Sequence, residues 1–136
     1  MRSQTLYQAT AYASLALTVG GCASLGSRST GAPRPAPISH VVLVKLADPS
    51  EADALIVHCD ANLRTIPSVV SYACGHHVDT GRTNIDSDYD VAIYIGFDST
   101  EGYADYVVHP LHVDVLQTWG DRLEWIRIHD FLDTTP

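Results

Sequence analysis

The sequence predicts a small α+β domain with the element order β-α-β-β-α-β, and three observations predict it. Two segments, 38–46 and 89–97, carry β-branched and apolar residues on both alternating faces, the pattern of strands covered on both sides. Each is followed by a helix-start phrase and then by apolar residues at helical spacing. Two further strand-like runs, 68–78 and 125–131, complete a four-strand set.

The elements follow in order. Ile38 to Leu46 is the first strand. Asp48-Pro49-Ser50-Glu51 reads as a helix start, with Asp48 as cap, Pro49 at the first helical position and Glu51 closing a capping box. Ala52, Leu55, Ile56, Cys59, Leu63 and Ile66 recur at helical spacing as a buried stripe, and Pro67 ends the helix. Ser68 to Val78 is a second strand of less regular alternation, and residues 79–88 form a polar loop rich in turn formers. Tyr89 to Phe97 is the clearest strand, and Asp98-Ser99-Thr100-Glu101 is a second capping box. Tyr103, Tyr106, Val107, Leu111, Val115 and Trp119 then keep a helical period that Pro110 kinks or divides. Trp125 to Phe131 alternates as a half-exposed edge strand should.

This order is the ferredoxin-like arrangement, an open sheet with its helices on one face. Strands one and three are apolar on both faces, so the second face of the sheet needs cover. A second copy of the chain, sheet against sheet in a symmetric homodimer, supplies it and makes a dimeric α/β barrel. A monomer with a partly exposed sheet is the alternative.

A chain of 136 residues has room for one domain and a short appendage. Hydrophobic residues at 46% and charged residues at 18% describe a globular protein. A net charge of −8, from 8 Lys+Arg against 16 Asp+Glu and with no basic cluster, argues against nucleic acid as a partner.

The appendage is N-terminal. Arg2 precedes the small and apolar run Ala11 to Val19, which is too short to span a bilayer and has the layout of a secretory signal. Val19-Gly20-Gly21-Cys22 resembles a bacterial lipoprotein processing site, which implies a signal peptide over 1–21 and lipid on Cys22. Residues 22–37, dominated by Gly, Ser and Pro, read as a flexible tether ahead of a domain at 38–132. The expected location is the cell envelope, with the membrane as a partner through the lipid.

Four phrases carry a family resemblance. They are Ile38-Ser39-His40 with its apolar run, Ile66-Pro67-Ser68-Val69, Tyr89-Asp90, and Tyr106-Val107-Val108-His109-Pro110-Leu111-His112. In this order they resemble the stress-responsive A/B barrel (Dabb) family. The last, a Tyr-x-x-His-Pro-x-His pattern, is the most specific; Ser68 replaces the usual glycine in the second. The resemblance implies a dimeric ferredoxin-like barrel and, for most members, no established activity. A plant polyketide cyclase belongs to the family. By that likeness His112 corresponds to its catalytic histidine, Tyr106 to the partnering tyrosine, and His40 to a first-strand histidine of the same pocket. Val91 stands where that enzyme has a further pocket histidine, which weakens any claim to the same substrate.

The chemistry expected is limited but definite. A histidine can take a proton near neutral pH, and a tyrosine hydroxyl beside it can orient it or donate to an enolate oxygen. His112 and Tyr106 are therefore the candidate catalytic pair, with His40, Tyr89 and His109 as candidate ligand-binding residues. Structural roles compete: His109 as a cap on the broken helix, His112 on a buried carbonyl, Tyr106 in the core. Three function classes stand side by side: a binder of a small apolar molecule, a polyketide-cyclase-like enzyme, and a structural dimer. His76-His77-x-Asp79 and His109-x-x-His112-x-Asp114 offer metal-ligand types, but neither has zinc-site spacing, and no metal or cofactor is expected. Cys59 and Cys74 read as two unpaired thiols, since no spacing rule favours a bridge.

Overall fold

A computed structural model describes residues 31–135. The signal peptide expected at 1–21, Cys22 and the first part of the expected tether lie outside the described residues. From Pro33 onward the chain forms one compact unit.

Four strands build a single antiparallel sheet: β1 (Ile38–Leu46), β2 (Ser71–His76), β3 (Val91–Phe97) and β4 (Leu123–Leu132), in the order β2-β3-β1-β4. Three helices accompany it: α1 (Ala52–Asn62), α2 (Thr100–Val108) and α3 (Pro110–Trp119). This is the ferredoxin-like α+β fold that the pattern predicts. The two strands apolar on both faces, β1 and β3, are the inner pair, and the alternating β4 is an edge.

Register explains the core. Val42, Val44 and Leu46 of β1 and Val91, Ile93, Ile95 and Phe97 of β3 point to one face and are buried there. Leu55, Cys59, Leu63 and Ile66 descend on them from α1 and its 3-10 extension, and Tyr106, Val115 and Trp119 from α2 and α3. Burying a side chain of the Leu, Ile or Phe class contributes about 1.5–3 kcal/mol, so this one face dominates the stability of the domain.

The helix starts depart from the expected boxes. Asp48 does cap, accepting from the Ser50 amide at 2.9 Å, but Glu51 turns away to pair with Arg122 at 3.1 Å. At the second start the cap is Ser99, which accepts from Gly102 N–H at 3.1 Å, one residue later than the box beginning at Asp98. Strand limits also shift, and β2, expected over 68–78, is shorter at both ends, Ser71–His76. β3 begins at Val91, although the Asp90 amide still donates to Val44 O at 2.9 Å. The Asp90 carboxylate accepts from the Leu46 amide at 2.8 Å and faces Lys45 Nζ at 3.4 Å, where the β1 register shifts. β4 starts at Leu123 because that shift brings Leu46 opposite Leu123.

Part of the expected tether belongs to the domain. Pro37 O accepts from Asp133 N–H at 2.7 Å, Arg34 pairs with Asp133 at 3.4 Å, and Ala36 is buried. Ala36 lies over Gly96 of β3, where an added Cβ would meet the Ala36 methyl at 2.6 Å. Glycine is required there for close approach rather than for its dihedral freedom.

Candidate functional site

The break between α2 and α3 creates the site. Pro110 has no N–H for the carbonyl of Tyr106, which takes the His109 amide instead at 3.0 Å. The Leu111 amide, which a continuous helix would aim at the Val107 carbonyl, goes to His109 Nδ1 at 3.3 Å. His109 is thus the N-cap of α3. The carbonyl of Val107 is left open, and His112 Nδ1–H donates to it at 2.9 Å. This bond fixes the tautomer, leaves Nε2 with its lone pair, and brings the His112 ring to 4.4 Å from that of Tyr106, centroid to centroid.

A second polar group comes from the sheet. His40 is paired with Asp130 across β1 and β4, and its Nδ1 lies 2.6 Å from the Asp130 carboxylate. The hydroxyl of Tyr103 in α2 sits 2.9 Å from the same nitrogen and donates to the other Asp130 oxygen at 3.0 Å. His40 is 5% exposed, and its ring centroid is 6.0 Å from that of Tyr106.

Between the helices and the sheet lies a cavity of about 90 Å³. Its walls are mainly aliphatic: Val42, Val44, Ile93 and Ile95 from the inner strands, Leu55 from α1, Val115 from α3, and Ile126 and Ile128 from β4. His40, Tyr106 and His112 are its ionisable lining apart from Cys59. Ile126 and Ile128 share the face of Val44 and Val42 yet stay 42% and 53% exposed, so the cavity borders solvent along the β4 edge. Trp119 closes another wall and is clamped by His58, whose Nδ1 accepts the indole N–H at 2.8 Å while Nε2 faces Asp114 at 3.0 Å.

Electrostatics divide the roles. Burial, helped by the charge of His40, holds the His112 imidazole below its ordinary 6.5, against the opposing hydrogen bond to Val107. Burial first, then Cys59 and Tyr103, pushes the Tyr106 phenol well above its ordinary value. Tyr103 is pushed up to about 12, by burial and then by Asp130. At neutral pH the cavity therefore presents an unprotonated imidazole nitrogen beside a phenol that keeps its proton, a base and a donor side by side.

The remaining candidates stand apart. Tyr89 precedes β3 and packs edge-on against His77 at 5.3 Å, away from the cavity, and His109 is engaged as a helix cap. The residues with metal-ligand patterns have separate partners: His76 with Asp53 at 2.8 Å, Asp114 with His58, and Asp79 with the Gly81 amide at 2.7 Å. Sequence reasoning missed Asp130 and Tyr103. The register of β4 on β1 would have put Asp130 opposite His40, but nothing local sets that register.

Fold and cavity together define a class: a ferredoxin-like α+β domain with a small apolar pocket, tipped by His and Tyr, under its helices. Residues 38–133 match the stress responsive A/B barrel domain, Dabb, and the chain belongs to that family. Among solved structures it is similar to a dimeric ferredoxin-like protein of unknown function from Thermobifida fusca, at 23% identity over 70% of this chain and 89% of that one, with a TM-score of 0.60. A Dabb family protein of Mesorhizobium loti is 22% identical over 72% of this chain and 97% of that one, TM-score 0.61. The hydroxynitrile lyase of Passiflora edulis is 14% identical over 76% and 100%, TM-score 0.62. These likenesses establish the fold. No curated protein matches the sequence.

Proposed function

We propose that the domain binds a small, mostly apolar molecule carrying one hydrogen-bond acceptor of the carbonyl class, in the cavity bordered by His40, Tyr106 and His112. The lining carries this reading: aliphatic walls with a few convergent polar groups are the ordinary make-up of a small-molecule site. At about 90 Å³ the cavity suits a short aliphatic chain or a small ring. The Tyr106 hydroxyl, kept protonated, is the donor to the carbonyl oxygen. A short methyl ketone such as 2-pentanone is the probe. Titrated into the labelled protein, it is expected to give saturable NMR shifts at Val42, Ile128 and the His112 ring, and to lose them when Ile128→Trp fills the mouth. Shifts that never saturate, or that survive in Ile128→Trp, overturn the reading.

The fixed tautomer of His112 favours a second step on the same ligand. With the carbonyl oxygen on Tyr106, Nε2 of His112 is placed to take a proton from the adjacent carbon, giving an enolate stabilised by the phenol. The Dabb-like fold carries chemistry in the Passiflora edulis hydroxynitrile lyase, and the polyketide-cyclase resemblance of the signature points to a proton transfer of this kind. Deuterium uptake into the ketone in heavy water reads the step. His112→Ala is expected to slow it about 10²-fold or more while leaving the fold intact; an unchanged rate rejects the base.

We also propose that the chain is exported and held at the cell envelope by lipid on Cys22, and that two copies pair through their sheets. The first rests on the signal layout and the phrase ending in Cys22. Palmitate labelling in a bacterial host is expected to disappear in Cys22→Ala, and labelling that persists rejects the anchor.

A further inference from the structure

Cys59 and Cys74 take no part in the proposed chemistry, and Cys74 belongs to none of the fold signals. Cys59 lies on the buried stripe of α1 between Leu55 and Leu63, wholly out of solvent. Cys74 lies midway along β2, and its register partner Ile93 is buried beneath the helices. Its side chain therefore rises from that same face, toward α1. α1 packs on β2, and Cys74 packs against the core cluster that contains Cys59. Both are free thiols in this structure. We propose that the pair is an oxidation site, closing to an intramolecular disulfide that staples α1 to β2.

The surroundings make the two sulfurs unequal partners. The neighbouring Cys74 thiol raises the Cys59 thiol, and burial adds to the effect. Cys59 in turn, and more weakly Tyr72, pull the Cys74 thiol below the ordinary cysteine value against its partial burial. The Tyr72 hydroxyl is buried without a hydrogen-bond partner. Thiolates, not thiols, attack disulfides. Cys74, half-buried and inclined to ionise, is the attacking sulfur; Cys59, fully buried and protonated, is the resolving one.

The oxidant is a small disulfide such as oxidised glutathione. Cys74 Sγ attacks one glutathione sulfur, a Cys74–glutathione bond forms, and the glutathione S–S bond breaks. The departing thiolate takes up the proton that Cys74 gave to solvent. Cys59, releasing its proton in turn, attacks Cys74 Sγ and expels the second glutathione as a thiol. Two cysteine thiols and one glutathione disulfide become one protein disulfide and two glutathione thiols. Because Cys59 also lines the cavity, the bridge would fix the α1 wall of the pocket. It does not depend on what the pocket holds.

Tryptic cleavage after Lys45, Arg64 and Arg82 places the two cysteines on separate peptides, 46–64 and 65–82. The full chain is reduced, desalted, exposed to oxidised glutathione, alkylated and digested without reductant. The expected result is the two peptides joined, two fewer alkylatable thiols per chain, and reversal by reductant. The same joined pair is expected in Cys22→Ser, which removes the third cysteine. Both peptides recovered singly alkylated, or Cys74 stopping at the glutathione adduct while Cys59 stays alkylatable, overturns the proposal.

Discussion

His112 has the properties of a base because of what occupies its other nitrogen. The Val107 carbonyl accepts from Nδ1, so the lone pair is on Nε2, and burial keeps that nitrogen unprotonated. The folded value is depressed below the 6.5 of the free side chain. Between the two values the unfolded chain binds the extra proton, so stability rises with pH there. The contribution is complete above about pH 6.5 and is lost as pH falls through the depressed folded value. Any rate that uses His112 as base should show its acid limb below 6.5 for the same reason. An NMR titration of the ring protons is expected to give a midpoint below 6.5; one at or above it would mean that the ring is solvated and not held in the cavity. His40 works differently. Its Nδ1 is committed to Asp130, with Tyr103 bracing the carboxylate. Neither partner was legible in the sequence, because Asp130 lies 90 residues from His40 and Tyr103 lies 63 away. Pairings across such distances leave no periodicity to read.

At the scale of elements, the order and type of the four strands and the helices between them could be read from pattern, because the middles of β1, β3 and α1 agree with their local signals. The interruption of the second helix was legible too, as a kink or a division, since a proline lacks the donor that continuity demands. Limits were lost where a side chain serves a tertiary partner: the Asp90 carboxylate turns to the Leu46 amide, and Glu51 leaves its box for Arg122. The segment before β1 misled for a related reason. Its composition reads as tether, yet Ala36 docks on the sheet at the one β3 position that has no side chain. Gly96→Ala is therefore expected to destabilise the domain by about 1–3 kcal/mol, the usual cost of overpacking. The Ser71 hydroxyl can rotate aside, but the Ala36 methyl moves only with its backbone. Ala36→Gly in the same chain should recover much of the loss in a denaturant melt. Full stability in Gly96→Ala alone would show that the 33–37 segment is not held on the sheet.

On the scale of the whole molecule the open question is the sheet face opposite the helices. Val41 and Leu43 of β1, Ala92 and Tyr94 of β3 and Trp125 of β4 point to it, and none is fully buried within the protomer. Two cations share the face, and charges there would oppose burial if they were unpaired. They are paired already: Lys45 with Asp88 and Asp90, and Arg127 with Asp86 while it stacks 4.0 Å over Trp125. The loop before β3 thus neutralises the face from its own side, which lowers the cost of pressing it against a second copy. A stable pair needs about 800 Å² from each partner, and a four-stranded sheet offers that scale of surface. Leu43 lies mid-strand on inner β1, between Ala92 and Arg127, near the centre of the face. Leu43→Glu is expected to leave the helix-side core untouched and to weaken self-association at least about 10²-fold, close to 2.8 kcal/mol. Sedimentation at micromolar concentration, with circular dichroism to certify the fold, measures it. A wild-type chain that sediments as single molecules would mean that the face is solvated, and the barrel made by two sheets would have to be given up.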